Sequence, residues 1–261
     1  MRPTRRAVLA GGVAIATTGL VSAPVFPQTT GTSKIRALAF DAFPVFDPRP
    51  IFARAEELFP GNGEALSAAW RTRQFKYTWL RALSHTYVDF WKVTEDALVF
   101  AAELLKIEMN AAQRDQLMQG YLELKAWPDA LAALDELRGA GLKLAFLSNF
   151  TPKMLNSAIA NANMGGRFAH VLSTDTVQSY KPDPRTYQLG IDAFGLTRDE
   201  ILFVAFAGWD AAGAKAFGYP TYWVNRLRLP AEALGQNSDG TGTTLTDLVS
   251  YVRARNGQSS L

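Results

Sequence analysis

Five of the six side chains from Ile35 to Phe40 are apolar, and the run stops at Asp41. The turn-forming residues Pro44, Asp47 and Pro48 follow closely. So short an apolar run, closed by turn formers, reads as a buried strand, parallel to its neighbours and covered on both faces. A carboxylate at the carboxyl end of the first strand of an α/β sheet stands where such folds place their ligand crevice. Taken alone, Asp41 fits a helix-capping or solvated carboxylate equally well.

The rhythm changes after Asp47. Residues 49–125 carry apolar and aromatic side chains at helical spacing, among them Leu66, Trp70, Tyr77, Leu80 and Leu83, then Phe90, Leu98, Leu104 and Leu105, with a further helix from Gln113 to Leu124. A crossover between parallel strands needs far less chain than this. The segment therefore reads as a helical cap inserted into an α/β core made of residues 34–48 and 126–261, after a leader and linker over residues 1–33. From Pro128 strands and helices alternate again: a helix with Leu131, Leu134 and Leu137 on one face, strands at 142–147, 171–173, 201–206 and 222–224, helices at 152–162, 186–194 and 211–217, and a closing helix from Leu245 to Arg253. The polar, Gly-rich stretch 235–243 reads as a mobile loop.

In the leader, Arg5-Arg6 precedes a weakly apolar Gly/Ala-rich stretch, and Val21-Ser22-Ala23 has the form of a cleavage site. Paired arginines in this position resemble a twin-arginine export signal, which implies a periplasmic or exported protein without a stable membrane anchor. The formal charge of +3 equals the contribution of Arg2, Arg5 and Arg6, so it gives no reason to expect nucleic acid as a partner. With no cysteine and only His85 and His170, thiol nucleophiles and cysteine- or histidine-rich metal sites are excluded.

Polar residues follow four strand segments: Asp41, Ser148-Asn149, Lys181 and Asp210. In a parallel sheet these ends share one edge, so groups distant in sequence can converge. The order Asp, Ser, Lys, Asp resembles the haloacid dehalogenase superfamily, whose core is a Rossmann-like parallel sheet with an inserted cap. Segments in both parts, including Trp70-Arg71, Tyr77 to Arg81, Thr94 to Leu98, Tyr180 to Asp183 and Trp209-Asp210-Ala211, resemble the type II L-2-haloacid dehalogenases. That resemblance implies hydrolytic dehalogenation of small L-2-haloalkanoic acids through an ester on Asp41. It gives Lys181 the role of aiming cation, has Ser148 orient Asp41, lets Arg71 meet the substrate or halide, and places Asp210 in the hydrolytic step. It also assigns Phe43, Phe75, Phe90, Asn149, Tyr187 and Trp209 to the substrate pocket. No metal or cofactor is implied, and a homodimer is.

Two departures from the motif widen the field. The loop after Asp41 reads Pro44-Val45-Phe46-Asp47, one residue shorter than usual and without the expected Thr, while Ala205 and Ala207 stand where Ser and Asn are usual. Lost donors near a reacting carboxylate can cost about a hundredfold each, so a degenerate relative that binds a small carboxylate with little turnover is the alternative. A phosphatase of the same superfamily is the weaker rival, because Phe43 and Phe206 occupy the positions of its second Asp and its magnesium-binding acid.

Overall fold

A computed structural model describes residues 33–257. The twin-arginine stretch and its cleavage site lie outside the described residues. Ser33, expected to end a linker, donates a hydrogen bond from its hydroxyl to Asp199.

Strand β1 (Ala37–Phe40) runs into the short β2 (Phe46–Asp47), and four helices follow: α1 (Arg49–Leu58), α2 (Gly63–Leu83), α3 (Phe90–Leu104) and α4 (Ala111–Gln119). Strand β3 (Lys125–Ala126) then pairs antiparallel with β2, so a two-stranded ribbon joins the ends of the helical segment. Beyond it come α5 (Ala130–Gly139), β4 (Lys143–Ser148), α6 (Pro152–Asn161), β5 (His170–Ser173), α7 (Pro184–Phe194), β6 (Ile201–Ala205), α8 (Gly208–Phe217), β7 (Thr221–Val224), β8 (Gly240–Gly242) and α9 (Leu245–Arg255).

Six strands form one parallel sheet in the order β5-β4-β1-β6-β7-β8. The first strand is thus interior, with Leu38 opposite Leu144 on one side and Leu202 on the other. Period-two alternation sends Leu38 and Phe40 into one apolar cluster and Ala37 and Ala39 into a second. All four residues are fully buried, which is why the run has no polar alternation. The cluster around Leu38 and Phe40 continues through Trp70, Phe90 and Val93, so the helical segment and the sheet share one core. Burying an aromatic or branched side chain is worth about 1.5–3 kcal/mol, so this shared layer holds the two parts together.

Several elements differ from the sequence reading. Helix α4 ends at Gln119 rather than Leu124. Leu80, Leu83 and Leu104 lie exposed, although their spacing placed them on a buried face, and Leu131 is also half outside. The Gly-rich stretch is not wholly loop, since Gly240–Gly242 adds the edge strand β8. A Cβ on Gly240 would come within 2.6 Å of the Tyr251 ring, so only glycine lets that ring lie against the strand. Among the described residues no helix is long and apolar enough to cross a membrane.

Candidate active site

Chain order places β4 and β5 on one side of β1 and β6 to β8 on the other, so the strand order reverses around β1 and opens a crevice at its carboxyl end. Asp41 stands there, its backbone N–H held by the carbonyl of Val204 at 3.0 Å. The shortened loop that follows is pinned from outside. Trp127 donates its indole N–H to the Phe43 carbonyl at 2.9 Å, and Arg226 donates to the Pro44 carbonyl at 2.8 Å while pairing with Asp129. The Arg226 guanidinium lies 4.5 Å from the centre of the Trp127 ring.

The two oxygens of Asp41 are unequally occupied. Oδ1 accepts from Lys181 Nζ at 2.8 Å and from the Ser148 hydroxyl at 3.2 Å. Oδ2 accepts one backbone N–H, that of Phe43, at 3.2 Å. Ser148 is the last residue of β4, and Lys181 comes from the turn after β5, where Asn149 Oδ1 accepts its backbone N–H at 3.0 Å. Asn149 therefore fixes the lysine's backbone, and its oxygen also accepts from Thr174 at 3.3 Å.

Lys181 is buried and bridges two carboxylates, reaching Asp210 Oδ2 at 2.6 Å as well as Asp41. Burial alone would lower the pKa of its ammonium, but Asp210 and Asp41 outweigh that and raise it. Asp210, which the sequence reading placed between the strand and a helix beginning at Ala211, lies in the first turn of α8, where the helix dipole favours a negative charge. Burial pushes its carboxyl up to about 6 against the pull of Lys181. Tyr187, on α7, donates to Asp210 Oδ1 at 2.7 Å; its own pKa is raised well above the usual value, first by burial and then by Asp210, so it remains a donor. It sits behind Asp210, away from the cavity wall where the sequence reading had placed it. Glycine at position 213 leaves room for both neighbours, because a Cβ there would meet Pro182 at 2.6 Å and the Tyr187 hydroxyl at 2.7 Å.

A cavity of about 320 Å³ opens over Asp41. Phe43, Phe75, Phe90 and Trp209 all line it, as the sequence reading had them, together with Arg71. Ala68, Arg71 and Phe75 are spaced i, i+3 and i+7 on α2, which puts them on one helix face. Arg71 is exposed and makes no ion pair among the described residues; its guanidinium lies 4.8 Å from the centre of the Phe52 ring. The Trp209 indole N–H is buried without a partner. Ala207 caps α8 with no side-chain hydrogen bond, so the expected polar group is absent from the structure as well as the sequence.

Residues missed in the sequence also reach the cavity: Phe52, Tyr121 and Phe150, and Leu227, Leu229 and Glu232 from the loop after β7. The aromatic ones carry no signal that separates them from core residues. The loop could have been suspected, since it leaves the same sheet edge as Asp41.

Residues 26–218 match the haloacid dehalogenase-like hydrolase family. The (S)-2-haloacid dehalogenase of Pseudomonas sp. (strain YL) is 42% identical over 226 residues, covering 86% of this chain and 97% of that protein. A crystal structure of an L-2-haloacid dehalogenase superposes with a TM-score of 0.83 at 44% identity, over 85% of this chain and all of that one. The enzyme of Xanthobacter autotrophicus, solved with chloropropionic acid covalently bound, gives 0.78 at 35% identity over 84% of this chain and 98% of that one.

Proposed function

The chain belongs to the haloacid dehalogenase-like hydrolase family, and from that premise we propose that it is an (S)-2-haloacid dehalogenase, converting small L-2-haloalkanoic acids to 2-hydroxy acids through an ester on Asp41. The observation that carries this reading is the uneven bonding of Asp41: Lys181 and Ser148 hold Oδ1, while Oδ2 keeps a lone pair for the cavity.

In the first step Asp41 Oδ2 attacks C2 of the acid from the side opposite the halogen. The O–C2 bond forms, the carbon–halogen bond breaks, and the halide leaves with the bonding pair. Lys181 aims the carboxylate in a largely apolar pocket, and Arg71 takes the carboxylate of the substrate or the departing halide. In the second step water adds to the Asp41 carbonyl carbon and gives a proton to Asp210. The Cγ–Oδ2 bond then breaks, Oδ2 takes the proton from Asp210 and leaves as the hydroxyl of the hydroxy acid, and Asp41, whose new carboxylate oxygen comes from water, releases the second water proton to solvent. A carboxyl group with a pKa near 6 suits that proton transfer. Phe43 and Phe206, 5.6 Å apart between ring centres, form an apolar wall at the two positions where a phosphatase of this superfamily carries carboxylates. The reaction as written needs no metal.

The test is halide release from L-2-chloropropionate by the purified protein, with Asp41→Asn as the inactive control. One turnover in labelled water should leave the heavy oxygen in Asp41; label appearing directly in the product would remove Asp41 as nucleophile. The side chains at Ala205 and Ala207 favour a second reading, in which ester hydrolysis is slow because no side-chain donor meets the attacking water there. That reading requires a burst of halide equal to the enzyme present, followed by slow turnover.

The Arg5-Arg6 leader supports export to the periplasm, and changing both to lysine should then retain the protein in the cytoplasm. The exposed Leu80, Leu83 and Leu104 support a homodimer, which light scattering of the purified protein will test.

A further inference from the structure

We propose that the preferred substrate is a 2-halocarboxylic acid whose side chain is about the size of a benzyl group. This rests on the dehalogenase reading and specifies the acid. A three-carbon 2-halo acid has six heavy atoms, as many as benzene, and a closed apolar cavity of roughly 150 Å³ is enough to hold benzene. The cavity over Asp41 measures about 320 Å³, roughly twice that. A short acid bound with C2 against Asp41 and its carboxylate toward Arg71 leaves the remaining space empty or wet.

The lining of that space is mostly apolar, with Thr72, Gln74 and Glu232 among its polar members. Phe75 meets Trp209 edge to face at 5.3 Å, and Phe43 meets Phe150 in the same way at 5.2 Å, so ring faces and edges are set out at the spacings aromatic groups prefer. At the mouth, Leu227 and Leu229 are 40% and 54% exposed. Both line the same cavity as Asp41, so a benzyl group that fills it has more apolar surface to cover than a methyl group does. Glu232 lies on the same rim, and its carboxylate opposes a second anionic group in the substrate. Room, aromatic walls and an acidic rim together select a large apolar side chain over both a methyl group and a second carboxylate.

Two measurements on the full chain test this. The first compares bromide release from (S)-2-bromo-3-phenylpropanoate and (S)-2-bromopropanoate. The second measures calorimetric binding of 3-phenylpropanoate and propanoate, which carry no halogen and cannot react. Burial of one ring should raise kcat/KM about tenfold or more for the phenyl acid, with a similar gain in affinity for 3-phenylpropanoate. Ala68→Phe, which extends a ring into the space from α2, should reduce that ratio toward one. Equal or better kinetics with bromopropanoate, or equal binding of the two plain acids, would overturn the proposal. Tighter binding of 3-phenylpropanoate with bromide from neither substrate would support the pocket assignment while removing the dehalogenase reading.

Discussion

The floor and the roof of the cavity are built on opposite principles. On the floor, Asp41, Lys181, Asp210 and Tyr187 form a continuous chain of hydrogen bonds in which the lysine and the second aspartate are buried. In the roof, Arg71 is exposed and lies against the face of the Phe52 ring. The groups assigned to bond making are thus fixed by one another before any ligand arrives, which lowers the reorganisation needed in the transition state. The group assigned to recognition remains available for an anion. A buried charge pair is costly to form and much more costly to break, so mutation should reveal the difference as a difference in stability as well as rate.

The sharpest separation should come from Lys181→Ala. Removing the ammonium leaves Asp41 and Asp210 facing each other, one of them buried, without a cation. Stability to denaturant should fall by about 3–5 kcal/mol, and the rate of ester formation by roughly a thousandfold or more. Wild-type stability in this variant would mean that the floor is not the pre-formed unit described above.

Arg71→Ala should be milder and confined to function. Loss of one charge-assisted contact predicts a fall in kcat/KM of about 10- to 100-fold, with an unchanged denaturation midpoint. If it destabilises the fold as much as Lys181→Ala does, the contrast between floor and roof fails.

The pH profile gives a smaller effect that belongs to the floor alone. Asp210, with its carboxyl raised to about 6, is protonated below that pH and ionised above it. A step that needs it to accept a proton should therefore lose about tenfold in rate for each pH unit below 6 and level off above it. Lys181, with its pKa raised, stays charged throughout this window. The acid limb should survive in Arg71→Ala and disappear in Asp210→Asn. A limb that moves with Arg71 would place the titrating group in the roof.

A last and smaller test addresses packing behind the floor. Gly213→Ala forces a methyl group against Pro182 and the Tyr187 hydroxyl, both of which sit beside the buried ion pair. Overpacking of this kind costs about 1–3 kcal/mol, and a shift in the acid limb of the pH profile would show that Tyr187 helps to position Asp210.

Much of this site is legible in the chain itself. Asp41 and Ser148 each close an apolar run, and a parallel sheet brings such positions to one edge whatever their separation in sequence, whereas Lys181 reaches that edge from a turn beyond β5. The long helical stretch after Asp47 was equally clear, because it far exceeds any crossover. Local pattern was a weaker guide to exposure. Leu80 and Leu83 stand three residues apart and Leu66 and Trp70 four, both helical spacings, yet the first pair is exposed and the second buried, because burial depends on what lies opposite a helix face.

The sequence by itself determined the parallel core, the place of Asp41 at the end of its first strand, and the absence of polar side chains at Ala205 and Ala207. These follow from composition and order along a strand, which are local properties. Only the tertiary structure decided which Asp41 oxygen is open, that Tyr187 supports Asp210 from behind, that Gly240 belongs to a strand, and that Leu227 and Leu229 complete the cavity. Each of those depends on the close approach of segments far apart in the chain, and neither periodicity nor propensity records such distances.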